Sequence, residues 1–314
     1  MDPNSVFRVP CTLLPKAGVD LARWAVVACD QYTSEPDYWQ AVARTVGEAP
    51  STLHLTFPEV FLGAADAPAR IASIQSTMRS YLAQGLLQER EVAVYVERTV
   101  GGRTRRGLML ELDLEHYDYS ATSTSLIRPT EGTIVARLAP RIEVRRGADL
   151  ELPHILVLID DAGRTVIEPL AAARATLPPL YQTPLMQGGG DLAGWAVPDA
   201  LMQQAAAALR ALATPEACAA RYGLPAHTPP MLFAVGDGNH SLATAKAIWE
   251  SQKASVGLQH PSRYALVEVE NIHDEALAFE PIHRVLFGVK VDVRAALAQA
   301  FGSRLTCTDV PSAQ

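Results

Sequence analysis

Six consecutive residues, Gly236-Asp237-Gly238-Asn239-His240-Ser241, stand between an apolar run and a helical stretch, and their types suit phosphate chemistry. Two glycines let a backbone turn sharply and let a ligand come close. The amides at a helix start have no partners within the helix, and the dipole there favours an anion. A phosphate is therefore expected against the backbone N–H groups near His240 to Ala243. His240 would add a charge-assisted hydrogen bond, and Asn239 and Ser241 neutral ones. Asp237 is an acid beside an anion site, which suits general-base work on a substrate hydroxyl or holding Mg²⁺ against the phosphates. A plainer reading stands beside this one: Asp-Gly is a common turn dipeptide, and Ser241 would cap the helix through its hydroxyl. Histidine next to aspartate in such a turn tips the balance toward function. The turn is not a P-loop, which ends Gly-Lys-Ser/Thr, and it lacks the third glycine of the dinucleotide fingerprint.

Further residues could complete such a site. Arg128, Arg137, Arg141, Arg145 and Arg146 form the densest basic region of the chain. Arg128 and Arg141 are expected to reach the phosphate, and Arg145 and Arg146 to lie on a solvated surface. Glu131, in a loop stiffened by Pro129 and Gly132, is a candidate Mg²⁺ ligand or second carboxylate. Asp30 and the pair His283-Arg284 are candidate ligand contacts, Asp30 because ligands collect outside strand ends in α/β folds. His154 and Asp160 are too far apart to share a metal, since six residues at ~3.3 Å each span about 20 Å of strand. Asp160-Asp161 reads as a turn and His273-Asp274-Glu275 as a charged loop.

The elements that must position these residues follow from periodicity and turn chemistry. Residues 24–29 read as a buried strand, and Ser34 with Pro36 opens a helix. Residues 66–84 have helical spacing, with Ile71, Ile74, Met78 and Leu82 on one face. Residues 91–100 and 105–113 pair as a hairpin across Gly101-Gly102. Residues 125–133 form a loop, 140–146 a short helix, and 154–161 the clearest strand of the first half. A Pro- and Gly-rich loop is expected over 178–194, the best place for an interruption in what otherwise reads as one unit, 1–314. A helix over 199–212 precedes the strand 231–235, which feeds the turn, and a helix over 242–250 leaves it. A strand over 263–270, a helix over 293–301 and a possible strand over 305–310 complete the chain. The pattern predicts an α/β fold, with α+β left open, built on a mixed sheet with flanking helices.

Composition sets the outer limits. The chain has 314 residues, 48% hydrophobic and 19% charged, which is material for a packed core and not for disorder. A net charge of −7 argues against general affinity for nucleic acid or anionic membrane. No apolar run reaches the ~18 residues of a membrane span, and the first residues lack a signal peptide's basic start and apolar core. Four scattered cysteines without a C-x-x-C pair suit free thiols in a reducing compartment. A cytoplasmic protein is expected.

Several blocks occur together in order: residues 127–133, Arg137, Pro140-Arg141, residues 151–155, Asp160-Asp161, residues 236–241, residues 270–274 and residues 281–284. They resemble the bacterial and archaeal DUF1015 family, whose name records no established function. Its members are usually longer, which implies a chain that continues past Gln314. Many members carry Asp-Gly-His-His-Arg in the turn, which is similar to the Gly-x-His-Arg signature of the ParB/sulfiredoxin superfamily. That superfamily binds nucleotide phosphates there and includes free-serine kinases. By position, the resemblance implies Asp237 as base, Gly238 as the close-approach glycine and His240 as the phosphate contact, in a ParB/sulfiredoxin-like element. Here Asn239 replaces the first histidine and Ser241 the arginine, removing a bidentate phosphate fork. The expectation is a phosphate- or nucleotide-handling enzyme. It would transfer a phosphoryl group from ATP or ADP, with Mg²⁺, to a small hydroxyl metabolite. The alternatives are a non-catalytic nucleotide sensor, and a phosphohydrolase in which Asp237 and His240 activate water.

Overall fold

A computed structural model describes residues 6–152, 155–278 and 286–308. Along the chain come β1 (Phe7–Arg8), β2 (Cys11–Pro15), α1 (Leu21–Trp24), α2 (Pro36–Val46), α3 (Ala67–Ala83), β3 (Leu87–Glu91), β4 (Val94–Val100) and β5 (Arg103–Asp113). Then follow β6 (Ile127–Pro129), α4 (Leu138–Arg145), β7 (Leu156–Ile159), α5 (Glu168–Ala173), β8 (Pro179–Leu185) and β9 (Gly190–Ala196). The remainder is α6 (Asp199–Leu212), α7 (Pro215–Tyr222), β10 (Phe233–Asp237), α8 (Asn239–Val256), β11 (Tyr264–Asn271) and α9 (Val293–Phe301).

The fold is α/β, on a mixed sheet of nine strands among the described residues. The order is β6-β10-β7-β11-β5-β4-β9-β8, with β1 also paired to β5. β6 runs parallel to β10 and β7 parallel to β11, while the other neighbours are antiparallel. β2 and β3 form a separate two-stranded sheet. The chain divides into two compact units, residues 1–277 and 278–314. The first holds the whole sheet. In the second, Asp292 caps α9 by accepting the Ala295 amide at 3.0 Å.

Alternation along the strands sorts side chains to two faces. Leu108, Leu110 and Leu112 of β5, Val157 and Ile159 of β7, Phe233 and Val235 of β10, and Val267 and Val269 of β11 join the main core. Met202 and Leu209 of α6 and Leu242 and Trp249 of α8 pack into the same core. A second cluster, with Trp24, Leu55, Phe57, Ile74, Met78 and Tyr81, is built by α1, α3 and the segment between α2 and α3.

Several sequence expectations need correction. Residues 24–29 are no strand: α1 ends at Trp24, and side chains take up the backbone that follows. Thr52 Oγ1 donates to the Trp24 carbonyl at 2.7 Å and accepts the Val26 amide at 3.3 Å. Ser34 is not a cap, since α2 starts at Pro36 behind Glu35. Leu82 is exposed and Tyr81 takes the buried place on α3. The loop expected over 125–133 contains β6. The loop expected over 178–194 is the β8–β9 hairpin, so it does not interrupt the unit. Both are edge strands or next to one, and an edge strand tolerates proline because one side needs no ladder hydrogen bonds. Val310 lies outside the described residues.

Candidate functional site

β10 carries the chain into the turn at the C-terminal end of its parallel partner β6, with Val235 opposite Pro129. Gly238 adopts φ +75° and ψ 25°, the left-handed region, and directly precedes α8. The first helical bond of α8 runs from the Leu242 amide to the Gly238 carbonyl at 2.9 Å. The amides of Asn239, His240 and Ser241 therefore have no helical carbonyl to meet. Ser241 does not cap the helix; no side chain does. Asp237, exposed, turns one carboxylate oxygen onto the Gly238 amide at 2.8 Å.

Both glycines sit where the protein itself leaves little room for a side chain. A Cβ on Gly238 would meet Ile155 at 3.1 Å, and one on Gly236 would meet the Leu158 side chain at 2.9 Å. Gly236, expected at the phosphate, faces β7 and does not line the cleft described below.

Asn239 is 5% exposed. Its Nδ2 donates to the Val235 carbonyl at 3.2 Å and to Thr130 Oγ1 at 3.4 Å, while Thr130 donates to the same carbonyl at 2.6 Å. Its Oδ1 is buried and has no partner among the described residues. Asn239 thus locks the turn to the loop after β6 and keeps one acceptor in reserve.

His240 is not the cation the sequence suggested. The Ile134 amide donates to its Nε2 at 3.4 Å, and Nδ1 lies 3.9 Å from Glu131 Oε1. Burial first, then the nearby Arg141 charge, holds its pKa below the ordinary histidine value, against the opposite pull of Glu131. That direction favours the neutral imidazole at pH 7.

The arginines divide differently from expectation. Arg141 on α4 grips Glu59 with Nε at 2.8 Å and Nη2 at 2.5 Å, and Nη1 donates to the Arg137 carbonyl at 2.9 Å. Arg145 pairs with Glu151 in the same way, its Nε at 2.7 Å, a half-buried side chain in the salt-bridged role expected of it. Arg128 is not brought to the turn at all. Its guanidinium donates to the carbonyls of Ser125 (2.7 Å), Pro229 (3.2 Å) and Pro230 (2.9 Å), ahead of β10 and at the far end from Asp237. Backbone oxygens occupy the fork that was expected to hold phosphate.

A cleft of about 280 Å³ opens beside the turn. Asp237, Gly238, Asn239, His240 and Ser241 line it, together with Glu131, Asp30, Cys29, Glu59, Arg141, Arg145 and Glu151. Its other wall is apolar, with Leu55, Phe57, Ile74, Met78, Val144 and Leu152. The Cys29 thiol is pushed up to about 12 by burial, with Asp30 and Glu59 adding to the effect, so it is no thiolate nucleophile at neutral pH. Among the described residues no three His, Cys, Asp or Glu side chains are placed to hold a metal ion. His154, His283 and Arg284 lie outside the described residues.

Sequence reasoning missed Thr130, Glu59, Glu151 and the apolar wall. Glu59 is 82 positions from Arg141 and carries no local motif. Asp160-Asp161 is structural, as expected of a turn: the Asp161 carboxylate accepts the Thr165 and Val166 amides, at 2.5 and 2.9 Å. Asp160 accepts from Tyr222 at 2.5 Å and lies 2.7 Å from His273 Nε2.

The chain matches the model of the family described as protein of unknown function, DUF1015, over residues 13–313, and it belongs to that family. No curated protein and no solved structure matches it. No helix among the described residues is long and apolar enough to cross a membrane.

Proposed function

For this member of the DUF1015 family, we propose that the cleft at the start of α8 binds a small phosphorylated metabolite and that the protein transfers a phosphoryl group to or from a hydroxyl there. The observation that supports this reading is the juxtaposition of three amides without helical partners and two carboxylates, Asp237 and Glu131, along one cleft. The amides and the helix dipole favour the phosphate. Asp237, exposed at the mouth, is the base for the acceptor hydroxyl.

Charge decides the next point. Arg141 and Arg145 each carry a carboxylate partner of their own, Glu59 and Glu151. Glu131 and Asp237 have no arginine or lysine partner among the described ion pairs, so a phosphate beside them brings repulsion that something must offset. Mg²⁺ bound through one or two carboxylates plus the substrate's phosphates fits that need, and Glu131 would hold it. It would supply charge neutralisation on the transferred group. The cleft falls just below the roughly 300–1,000 Å³ of sites that bury drug-sized ligands. It therefore seats phosphates and a small acceptor, and a nucleotide donor, ATP or ADP, keeps its base outside.

Two variants test this. Ser241→Asp puts a negative charge in the first turn of α8, which favours the helix but repels an anion. Its melting temperature should equal or exceed wild type, while stabilisation by pyrophosphate, about 2.7 kcal/mol at ~100 times Kd in wild type, should vanish. Undiminished stabilisation removes the anion site. Asp237→Asn should abolish turnover of labelled ATP with a hydroxyl acceptor. Equal turnover in the two proteins removes Asp237 as base, and binding without turnover in wild type identifies a sensor instead.

A further inference from the structure

We infer that the ligand of this cleft is amphipathic, a phosphate ester whose other end is a compact apolar group; the inference rests on the reading of the turn as the phosphate end. The lining divides by chemistry. The turn, Glu131, Asp30 and the Arg141–Glu59 and Arg145–Glu151 pairs supply the polar part. Leu55, Phe57, Ile74 and Met78 supply the centre of the apolar part, and all four are buried members of the second hydrophobic cluster. That cluster lines one wall of a space its own side chains do not fill.

The stretch of that wall from Leu55 to Met78 offers the cleft no unengaged polar side chain. Among the described lining residues of the segment between Leu55 and Met78, the polar side chains are Thr56 and Glu59. The Thr56 hydroxyl is turned away, donating to the Thr52 carbonyl at 2.7 Å, and both oxygens of Glu59 are taken by Arg141. A sugar or a base edge placed there would leave its donors and acceptors unmatched, at a cost of about 1–3 kcal/mol for each group. An alkyl or aryl group meets no such penalty and gains the burial. The space has room for it: an apolar cavity of roughly 150 Å³ accommodates benzene, and this cleft has about 280 Å³ to share between ring or chain and phosphate.

The test is a titration of the full chain with inorganic phosphate, ethyl, butyl and hexyl phosphate, and glycerol phosphate as a polar control. Each buried methylene should tighten binding about four-fold until the apolar part is full. Glycerol phosphate should bind no better than phosphate itself. Val144 lines the same wall but is only half-buried, so Val144→Gln is compatible with folding, which its melting temperature in the absence of ligand checks. This variant should cancel the chain-length gain and keep phosphate binding. If phosphate binds and chain length makes no difference, or the gain survives in Val144→Gln, the amphipathic ligand is wrong while the phosphate end stands. If neither phosphate nor any ester binds, both fall together.

Discussion

At the scale of single residues, the proposed site relies on the backbone of the turn and on Asp237 more than on its histidine. His240 is half-buried near Arg141, and both circumstances disfavour the imidazolium. A histidine whose folded pKa is depressed binds fewer protons than it does unfolded. Its effect on stability is therefore absent above the ordinary value of 6.5 and grows as a loss when the pH falls below it. For binding, the expected consequence is that His240 supplies little charge between pH 8 and 6.5. Sulfate, which does not titrate in that window, should bind equally tightly at both ends of it when measured by calorimetry. A several-fold gain on acidification to 6.5 would show a protonated histidine at the anion. The motif reading pointed to a turn that lines the cleft and expected a charged His240, whose imidazolium is disfavoured by burial and by an arginine 99 positions earlier in the chain.

At the scale of elements, the loop after Tyr119 and the strand entering the turn are held by Arg128 rather than by a ligand. Its guanidinium satisfies three backbone carbonyls, from Ser125, Pro229 and Pro230. Arg128→Met keeps the aliphatic stem and removes those donors. It should lower stability by about 1–3 kcal/mol in urea unfolding and leave pyrophosphate affinity unchanged. Unchanged stability with lost affinity would return Arg128 to the site. Helical elements were the more legible ones: α6 covers the residues its alanine-rich run indicated, and the β4–β5 hairpin closes where Gly101-Gly102 indicated. β6, β8 and β9 were hidden because Pro129, Pro179 and Pro184 sit on edge strands, a position that a linear pattern does not reveal.

At the scale of the whole molecule, the long sheet carries a charged group away from the cleft. Glu268 and Glu270 of β11 face Arg105 of β5, whose Nε lies 2.7 Å from Glu270 and Nη2 3.2 Å from Glu268. Glu270 is 1% exposed, and burial first, then Glu268, pushes it up to about 8, against the pull of Arg105 and with Asp274 adding to the rise. A carboxyl whose folded pKa is raised keeps a proton that the unfolded chain has lost. Stability is full below the ordinary 4.5 and falls as pH rises toward about 8, by at most about 1.4 kcal/mol per pH unit for one whole proton. Glu270→Gln imitates the protonated group at every pH. Unfolding measured from pH 5 to 9 should show a flatter decline in the variant than in wild type. Parallel curves would mean that Glu270 is ionised in the folded protein.

The sequence by itself determined the class of fold, the strand–turn–helix that carries Asp237, and the family, since each is written in local periodicity, turn chemistry or motifs in order. It also indicated Arg141, Glu131 and Asp30, all of which line the cleft beside that turn. Only the tertiary structure decided what those residues do. Charges are set by partners remote in sequence, as Glu59 neutralises Arg141 and backbone carbonyls occupy Arg128. The apolar wall is invisible in the chain for a related reason. Leu55, Phe57, Ile74 and Met78 read as ordinary core residues, and the space they line exists only once α3, α4 and the turn have packed around it.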